Sequence, residues 1–365
     1  MLNRNVPGTV SADSETVASA AVHQAAAHFS VFLSNYNHVR YLPFALDAIL
    51  QQSLQPREIY LIDDASTDGS QRVVEAYAAR HPRIRLVMHQ RNCGVMANLA
   101  EWLADNSDDF VYFAAADDVI LPGMFEKSLA MLTRFPAAGL CSASSLLMSL
   151  DGQDLGRIAT HAPARAPCYV PPEAAKQILM RRDSWFMGNT ALYRRSALRR
   201  VGGFDAPLAG FADGFACRVI AATCGACYIP EALAYWRKSP DGMAGQATGN
   251  AELARAIADR AAYLVQERYA DVFPPGYAKR LRRRLLYQGA ASASHWNKNS
   301  RRDLELLLQP LSLLDRLCLM AADALPFGQR WLVTTYLQLR LRPRDVFDRL
   351  GLVLSEARPA GRRLS

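Results

Sequence analysis

Residues 109–119 read Asp109-Phe110-Val111-Tyr112-Phe113-Ala114-Ala115-Ala116-Asp117-Asp118-Val119, and this stretch decides the fold. Its apolar first half predicts a short buried strand that delivers two adjacent carboxylates, Asp117 and Asp118, to the strand's C-terminal end. Leu121-Pro122-Gly123 follows, where a new helix can start. Ligands of open α/β sheets bind at that edge, and carboxylates there hold a divalent cation that holds phosphate. Taken alone, the pair also fits a simple cap of the next helix.

Strand and helix patterns alternate from Phe29 onward. The predicted strands cover residues 29–34, 58–62, 83–89 and 110–114. The predicted helices between them cover residues 41–52, a segment ending near 80, and 94–106. Such alternation predicts βαβ units, and therefore a mixed, mainly parallel sheet flanked by helices. The loops that carry polar side chains then meet at one edge of the sheet: residues 34–37, 63–68, 92–98 and 115–118.

The chain becomes less regular after Leu140. The composition predicts loops with short strands over 142–167, a strand over 188–193, a last strand over 233–237 and a Gly-rich loop over 239–250. Helices are expected over 172–181 and 214–223, and four or five more follow residue 251, with breaks at prolines. We therefore predict a flexible N-terminal tail over 1–27, a main α/β domain over 28–248 and a helical C-terminal region over 249–365.

Composition narrows the class of protein. The chain has 365 residues, half of them hydrophobic, which is enough for a large domain with an appendage and too apolar for a disordered chain. No run of about 18 apolar residues predicts a membrane-spanning helix, and the first 27 residues lack the pattern of a secretory signal. The seven scattered cysteines fit reduced thiols. We therefore expect a cytoplasmic protein.

The basic residues are unevenly spread. Residues 251–365 carry 20 Lys and Arg against 11 Asp and Glu, a net charge of +9, whereas residues 1–250 carry 22 against 23. The runs Arg282-Arg283-Arg284 and Arg301-Arg302 fit ordinary solvated helix faces, and they equally fit a helical region that contacts an anionic membrane surface.

Five ordered blocks of the sequence resemble a known family. They are Ser34-Asn35-Tyr36-Asn37, Ile62-Asp63-Asp64-Ala65-Ser66-Thr67-Asp68-Gly69-Ser70, Asn92-Cys93-Gly94, Ala116-Asp117-Asp118-Val119-Ile120-Leu121-Pro122, and the segment from Gly188-Asn189 to Gly202-Gly203-Phe204-Asp205. Together they resemble the family 2 glycosyltransferases, which have the Rossmann-like GT-A fold. The resemblance covers roughly residues 29–237.

The resemblance implies an inverting enzyme that moves a sugar from a nucleotide-diphosphate donor, with Mg²⁺ or Mn²⁺ as cofactor. We expect the donor to be UDP-linked. The acceptor would be a hydroxyl of a glycan or lipid-linked saccharide, in bacterial surface polysaccharide synthesis. We expect such a protein to work in the cytoplasm or on the inner face of the plasma membrane. We do not expect it to bind nucleic acid.

The resemblance also assigns roles by position. The expected nucleotide-binding residues are Ser34, Asn35, Asp64, Asp117, Asp118 and Arg237. Among them, Asp117 is the expected metal ligand, Asp64 would read the uracil or ribose, and the segment from Arg237 would close over the diphosphate. Asp213 is the expected general base, which removes the proton of the acceptor hydroxyl. Asp213 equally fits a cap of the helix that follows it.

Two departures from the family pattern leave alternatives open. Ala115 stands where the first acid of the family's DxD motif is expected, and Ala212 stands where a Glu precedes the base. Both replacements are compatible with a non-catalytic nucleotide-sugar-binding protein of the same fold. A nucleotidyltransferase is the other alternative, but it would carry a Gly-rich, basic loop after the first strand, and Ser34-Asn35-Tyr36-Asn37-His38 lacks one.

Overall fold

A computed structural model describes residues 20–158, 160–240, 242–293, 300–325 and 328–342. Residues 20–26 are helical. Residues 1–19 of the predicted N-terminal tail lie outside the described ranges, so its flexibility stays a prediction.

Strands and helices alternate through the first part of the chain. Their bounds are β1 Phe29–Asn35, α1 Leu42–Leu50, β2 Glu58–Asp63, α2 Ser70–Arg80, β3 Ile84–Met88, α3 Val95–Asp105 and β4 Phe110–Ala115. Gly69 and Gly94 precede α2 and α3 with positive φ angles of 96° and 83°, a conformation that glycine adopts without a steric penalty. The βαβ alternation predicted from the sequence is confirmed.

Further strands follow β4: β5 Val119–Ile120, β6 Leu140–Met148, β7 Asp154–Arg157, β8 Cys168–Val170, β9 Leu192–Arg194 and β10 Ala226–Arg237. They form a mixed sheet with the first four strands, in the order β3-β2-β1-β4-β9-β6-β10-β5, with β7 beside β6 and β8 beside β10. The longer pairings are parallel: β1 with β2, β1 with β4, β2 with β3 and β6 with β10. The antiparallel pairings, such as β4 with β9 and β5 with β10, match only two or three residues each. This is the mainly parallel α/β sheet that the sequence predicts.

The elements after β4 differ from the predicted ones at several points. The helices among them include α4 Met124–Arg134, α5 Pro172–Arg181, α6 Arg195–Arg200 and α7 Ala212–Cys224. The predicted strand over 188–193 is wrong in its first half, since Gly188–Thr190 forms a 3₁₀ turn before β9.

The sequence predicts loops with short strands over residues 142–167, and their first part, 142–148, belongs to the longer, nine-residue strand β6. Its serines are buried, yet each hydroxyl has a partner. Ser144 bonds to the hydroxyl of Tyr228 over 3.0 Å, and Ser145 donates to the carbonyl of Ala234 over 2.9 Å. Hydrogen-bonded hydroxyls are tolerated in a core, so a serine-rich segment serves as a central strand.

The contacts within the chain group the residues into two units. The first contains the sheet: residues up to Leu179, Asp183–Asp205 and Ala216–Lys238. Its core packs strand residues such as Phe29 and Leu33 with Phe125 of α4, and the rings of Phe29 and Phe125 meet edge to face with centroids 5.0 Å apart.

The second unit comprises Met180–Arg182, Ala206–Phe215 and the chain from Ser239. Its described helices include α8 Met243–Gly249, α9 Ala251–Glu267, α10 Tyr277–Ala293, α11 Ser300–Leu308, α12 Leu313–Ala324 and α13 Gln329–Leu341. The helical region expected after residue 251 is therefore present. The boundary predicted between residues 248 and 249 stays a prediction.

The predicted loop over 239–250 is wrong, because α8 occupies most of it. Small residues permit a tight packing here: a Cβ on Gly245 would come within 2.4 Å of the Pro240 carbonyl oxygen. Asn250 then caps α9 by accepting from the amide of Leu253 over 3.0 Å.

Candidate active site

The carboxyl ends of β2, β1 and β4 form one edge of the sheet. Asn35 pairs with Asp63, and Ser34 pairs with Ala115, so the three strands end level with one another. Asp64 follows β2 directly, and Asp117 lies two residues beyond β4. Because β1 lies between these strands, the ends of β2 and β4 are separated by two strand spacings, about 10 Å. The edge can therefore hold a ligand the size of a nucleotide between them.

Asn35 ties the first two strand ends together. Its side-chain amide donates to Asp63 over 2.8 Å and to the hydroxyl of Ser66 over 3.0 Å, and Asp63 also accepts from the amide of Ser66 over 2.9 Å. All three residues are buried. The Oδ1 atom of Asn35 is buried without a hydrogen-bond partner among the described residues. This network fixes the loop after β2 and leaves the Oδ1 atom of Asn35 able to accept a hydrogen bond from a ligand.

Asp64 is held as an anion by N–H groups of the loop after β3. Its carboxylate accepts from the amides of Cys93 and Gly94 over 2.9 and 2.8 Å, and from Nδ1 of His89 over 2.9 Å. Burial by itself raises the pKa of Asp64, but these bonds outweigh it and hold the pKa below its ordinary value. Asp64, the acid expected to contact the uracil or ribose, therefore also orders the loop that leads into α3.

Ser34 and Asn98 lie beside this acid. The side-chain amide of Asn98 donates to the Ser34 hydroxyl over 3.3 Å, and the buried Oδ1 of Asn98 has no hydrogen-bond partner within the described ranges. Two amide oxygens, from Asn35 and Asn98, thus stay unpaired near the same edge. Unpaired buried acceptors are uncommon, and a bound ligand that donates hydrogen bonds is one explanation of them.

Asp64, His89 and Cys93 bring one potential metal-ligating atom each to within 4.8 Å of one another. This donor set does not fit Mg²⁺, which prefers oxygen ligands. The Asp64 oxygens already accept three hydrogen bonds. The group does not include Asp117, the expected metal ligand.

Asp117 fits a hard cation better than the group of Asp64, His89 and Cys93 does. Its side chain is half-buried, and no described donor bonds to its carboxylate. A carboxylate with free oxygens beside a phosphate site is the ligand that Mg²⁺ and Mn²⁺ take in combination with phosphates. The residues present therefore fit a divalent cation held by Asp117 and a diphosphate.

Asp118 points into the protein instead. It is buried, and its Oδ1 accepts from the backbone amide of Arg237 over 2.8 Å. Burial, reinforced by the charge of Asp117, raises the pKa of Asp118 to about 8, although bonds from Arg237 and Asn189 oppose the shift. Asn189, on the 3₁₀ turn before β9, also has an unpaired buried Oδ1 among the described residues. Asp118 therefore supports the turn that presents Asp117.

Arg237 completes this turn from the end of β10. Its Nε donates to the carbonyl of Asp117 over 2.8 Å, and its Nη1 donates to the carbonyls of Ser149 and Leu150 over 3.1 and 3.2 Å. The guanidinium lies 4.3 Å from the ring centroid of Tyr41. These bonds give the buried cation a positioning role in this structure, and its expected contact with diphosphate stays a prediction.

Asp213 lies in the first turn of α7, among the residues grouped in the second unit. Its carboxylate accepts from the adjacent amide of Gly214 over 2.6 Å. Its assignment as general base stays a prediction.

Sequence reasoning gave no role to three of the groups that shape the site: Asp63, His89 and the amide of Cys93. Asp63 carried a signal, since it stands next to Asp64 at a strand end. The contact between His89 and Asp64 joins residues that follow two different strands, and no local pattern reveals such a pairing.

The carboxyl edge of this α/β sheet gathers a buried anion, a carboxylate to which no described donor bonds, and two unpaired amide oxygens, and this is the edge at which open α/β sheets bind their ligands. Residues 30–202, just under half of the chain, match the family model for glycosyl transferase family 2, and this segment is therefore a family 2 glycosyltransferase domain with the GT-A fold.

Two curated relatives of the chain carry glycosyltransferase names. The chain is 29% identical over 176 residues to the glycosyltransferase-named EpsE of Bacillus subtilis strain 168, covering 48% of this chain and 59% of EpsE. It is 33% identical over 98 residues to the glycosyltransferase GlyG of Streptococcus pneumoniae serotype 4, covering 27% of this chain and 32% of GlyG. The chain thus spans less than two thirds of either relative.

The fold resembles the crystal structure of S. aureus TarS 1–349 in complex with UDP, with a TM-score of 0.55 and 17% identity over 88% of each chain. A second TarS structure, in complex with UDP-GlcNAc, gives a TM-score of 0.50 at 16% identity, covering 86% of this chain and 92% of that one. These likenesses concern the fold. No helix within the described ranges is both long and apolar enough to cross a membrane.

Proposed function

We propose that this protein is an inverting glycosyltransferase that moves a sugar from a UDP-linked donor to a hydroxyl of a glycan or lipid-linked saccharide. The observation that carries the proposal is the pair of acids across β1: Asp64, ordered as an anion by loop amides, and Asp117, whose carboxylate has no described donor. Family membership supports glycosyl transfer, and TarS, which shares the fold, was solved with UDP and with UDP-GlcNAc. The relative EpsE is named a glycosyltransferase, which supports the same activity. The place of this activity in surface polysaccharide synthesis is the part of the proposal that rests on the family resemblance.

Each acid has a distinct task in this proposal. Asp64, with Ser34 and Asn35, binds the nucleoside, whose N–H and hydroxyl groups meet the unpaired oxygens of Asn35 and Asn98. Asp117 holds Mg²⁺ or Mn²⁺, which neutralises charge on the departing diphosphate when bound. Asp118 and Arg237 keep the Asp117 turn in position.

Asp213 takes the proton of the acceptor hydroxyl as that oxygen forms its bond to the anomeric carbon. The bond from that carbon to the diphosphate oxygen breaks on the opposite face, so the configuration inverts and UDP leaves. A positioned base of this kind contributes about 10²–10⁴-fold to the rate.

The non-catalytic alternative rests on Ala115 and Ala212, which stand where acids are expected. UDP release separates the two functions, because a binding protein would bind UDP-sugars without releasing UDP.

The test screens UDP- and GDP-sugars for thermal stabilisation with Mn²⁺ or EDTA, and then measures UDP release with saccharide acceptors. We expect a UDP-sugar to stabilise the protein with Mn²⁺ and to be turned over. Asp213→Asn should retain donor binding and lose at least about 100-fold in rate, whereas Asp271→Asn, a change at an exposed acid of the same unit, should be neutral. Near-wild-type transfer by Asp213→Asn would reject the assignment of Asp213 as general base. The absence of UDP release with every donor would reject the proposal that the protein is an enzyme.

We further propose that the protein works in the cytoplasm at the inner face of the plasma membrane, where lipid-linked acceptors are found. The net charge of +9 over residues 251–365 supports this location.

A further inference from the structure

Asp64, His89 and Cys93 form a mixed group of metal-ligating side chains in the sheet unit. One carboxylate oxygen, one ring nitrogen and one sulfur of this group all lie within 4.8 Å of one another. The proposed transfer reaction gives a task to Asp64 and none to His89 or Cys93. A carboxylate, an imidazole and a thiol are the ligand types that zinc sites combine.

The loop between β3 and α3 holds these ligands in place before any ion binds. The backbone amide of His89 donates to the carbonyl of Asp63 over 2.9 Å, which extends the pairing of β3 with β2 by one residue. At the other end of the loop, the amides of Cys93 and Gly94 donate to Asp64 over 2.9 and 2.8 Å. An ion bound here therefore has little chain to order, which reduces the entropic cost of binding.

The three ligands differ in their exposure to solvent. The side chain of Asp64 is 2% exposed, that of His89 is 18% exposed, and Cys93 is an exposed free cysteine. A buried carboxylate has lost hydration, and a bound cation compensates for that loss. The exposed thiol gives an ion access from solvent. The group is therefore closed on the side of Asp64 and open on the side of Cys93.

The Asp64 carboxylate can accept an ion if His89 changes its role. An ionised carboxylate has about four acceptor positions, and bonds from His89, Cys93 and Gly94 occupy three of them. A ring nitrogen that binds a metal must carry no proton, so Nδ1 of His89 stops donating to Asp64 when it becomes a ligand. The two backbone amides can continue to hold the carboxylate.

The donor set favours zinc over the ions expected at Asp117. Mg²⁺ and Mn²⁺ prefer oxygen ligands, whereas thiolate and imidazole suit Zn²⁺. Tetrahedral zinc ligands lie about 3.3–3.7 Å apart, given zinc–ligand bonds of about 2.0–2.3 Å. The 2.9 Å between Asp64 and His89 must open slightly, and the exposed thiol of Cys93 must approach by roughly 1 Å at most. A water molecule would complete the tetrahedron.

We propose that Asp64, His89 and Cys93 bind a zinc ion, and that this ion excludes a nucleoside from the carboxyl edge of the sheet. The thiol of Cys93 releases its proton to solvent, and its sulfur donates an electron pair to zinc. His89 binds as the neutral tautomer with its proton on Nε2. The ion then occupies the carboxylate that is expected to contact the uracil or ribose. Zinc binding stands by itself, whereas the exclusion of a nucleoside rests on the proposed function.

Equilibrium dialysis of the full chain against Zn²⁺ tests the ligands. Cys93→Ser removes the sulfur, and His89→Gln removes the imidazole but keeps an N–H donor for Asp64. Loss of an outer-shell partner costs about 10–100-fold in metal affinity, so loss of a ligand should weaken this site by at least about 100-fold. Cys318→Ser, at a partly buried thiol of the second unit, is the matched control and should bind zinc as the wild type does. Equal zinc binding by the wild type and both ligand variants would overturn the proposal.

Co²⁺ reports the sulfur ligand directly, because cobalt occupies tetrahedral zinc sites and a bound thiolate gives it a charge-transfer absorption band. The band should appear in the wild type and in Cys318→Ser and be absent from Cys93→Ser, while circular dichroism shows that all three proteins fold. A band of equal strength in Cys93→Ser would assign the metal to other cysteines and overturn the proposal.

Uridine separates the zinc site from the cation expected at Asp117, since uridine has no phosphate for that cation to hold. Zn²⁺ at ten times its dissociation constant should weaken uridine binding about tenfold in the wild type, measured by NMR titration, and should have no effect in Cys93→Ser. Unchanged uridine binding by the zinc-loaded wild type would overturn the exclusion. Absence of uridine binding in EDTA would overturn the nucleotide site and the exclusion with it, whereas dialysis alone decides whether zinc binds.

Discussion

Arg237 holds both acids of the turn after β4: its backbone N–H donates to Oδ1 of Asp118, and its Nε donates to the carbonyl of Asp117, each over 2.8 Å. A residue at the end of β10 therefore sets the orientation of a carboxylate that is distant in sequence. Because Arg237 also binds the carbonyls of Ser149 and Leu150, three backbone acceptors depend on one guanidinium.

We expect Arg237→Lys to destabilise the fold, because an ammonium cannot reach all three carbonyls in the fork geometry of a guanidinium. The loss of free energy of unfolding should be about 1–3 kcal/mol, the usual effect of leaving buried acceptors unpaired. Urea denaturation measures it, with Lys238→Ala, at the exposed neighbouring residue, as the control. Equal stability of Arg237→Lys and the wild type would contradict the positioning role.

Asp118 should make stability depend on pH in metal-free buffer. Its pKa is raised to about 8 in the folded protein, from 3.8, by burial and by the charge of Asp117. Folding therefore favours the protonated form of Asp118. Its stabilising contribution to the free energy of unfolding is full below pH 3.8 and is lost as the pH rises toward 8. Asp118→Asn mimics the protonated form, and the Asn189 amide can turn its unpaired oxygen toward the new N–H group.

The expected result is that Asp118→Asn gains stability relative to the wild type as the pH rises from 5 to 8, by up to about 1 kcal/mol per pH unit. Chemical denaturation at several pH values in EDTA gives the difference. Parallel stability curves for the two proteins would show that Asp118 does not titrate in this range.

Asp64→Asn should weaken both the site and its loop. An Asn side chain has one acceptor oxygen, and its NH₂ group would face a backbone amide that now donates to Asp64. We expect a loss of about 1–3 kcal/mol in free energy of unfolding, together with weaker UDP binding by calorimetry. Asp105→Asn, at the exposed end of α3, is the control. Wild-type UDP affinity in Asp64→Asn would remove Asp64 from the nucleotide site.

Asp315 should make the second unit sensitive to acid. Burial raises its pKa, but bonds from Ser312, Tyr336 and Arg340 outweigh this effect and lower the pKa below 3.8. The stabilising contribution is therefore present above the unfolded pKa and is lost as the pH falls through the folded value. The protection of α12 against hydrogen exchange, relative to the intrinsic rate at the same pH, should fall at acidic pH and, in Asp315→Asn, already at pH 7, by an amount equivalent to about 3 kcal/mol. Unchanged exchange of α12 in Asp315→Asn would contradict the anchoring of this helix.

The sheet up to β4 could be predicted from the sequence because each element there carries its own local signal. Apolar runs such as 58–62 end at polar loops, and Gly69 and Gly94 mark helix starts. The same logic located Asp64 and Asp117 at strand ends. Patterns of this kind depend only on neighbours along the chain, so they can be recognised without knowledge of the packing.

The errors share a different cause, namely partners that are distant in sequence. Ser144 reads as a loop residue until the hydroxyl of Tyr228 satisfies it within β6. The bonds of the Arg237 guanidinium to the carbonyls of Asp117 and Ser149 join residues 120 and 88 positions apart, and no local pattern predicts them.

The central claim is that Asp117 holds a divalent cation beside a nucleoside diphosphate. Since no described donor bonds to its carboxylate, Asp117→Asn should fold normally. Calorimetric titration of UDP in Mn²⁺ and in EDTA tests the claim directly, with Asp105→Asn as control. We predict that Mn²⁺ raises the UDP affinity of the wild type by about tenfold or more and leaves that of Asp117→Asn unchanged. Full Mn²⁺ dependence in Asp117→Asn, or none in the wild type, would contradict the account.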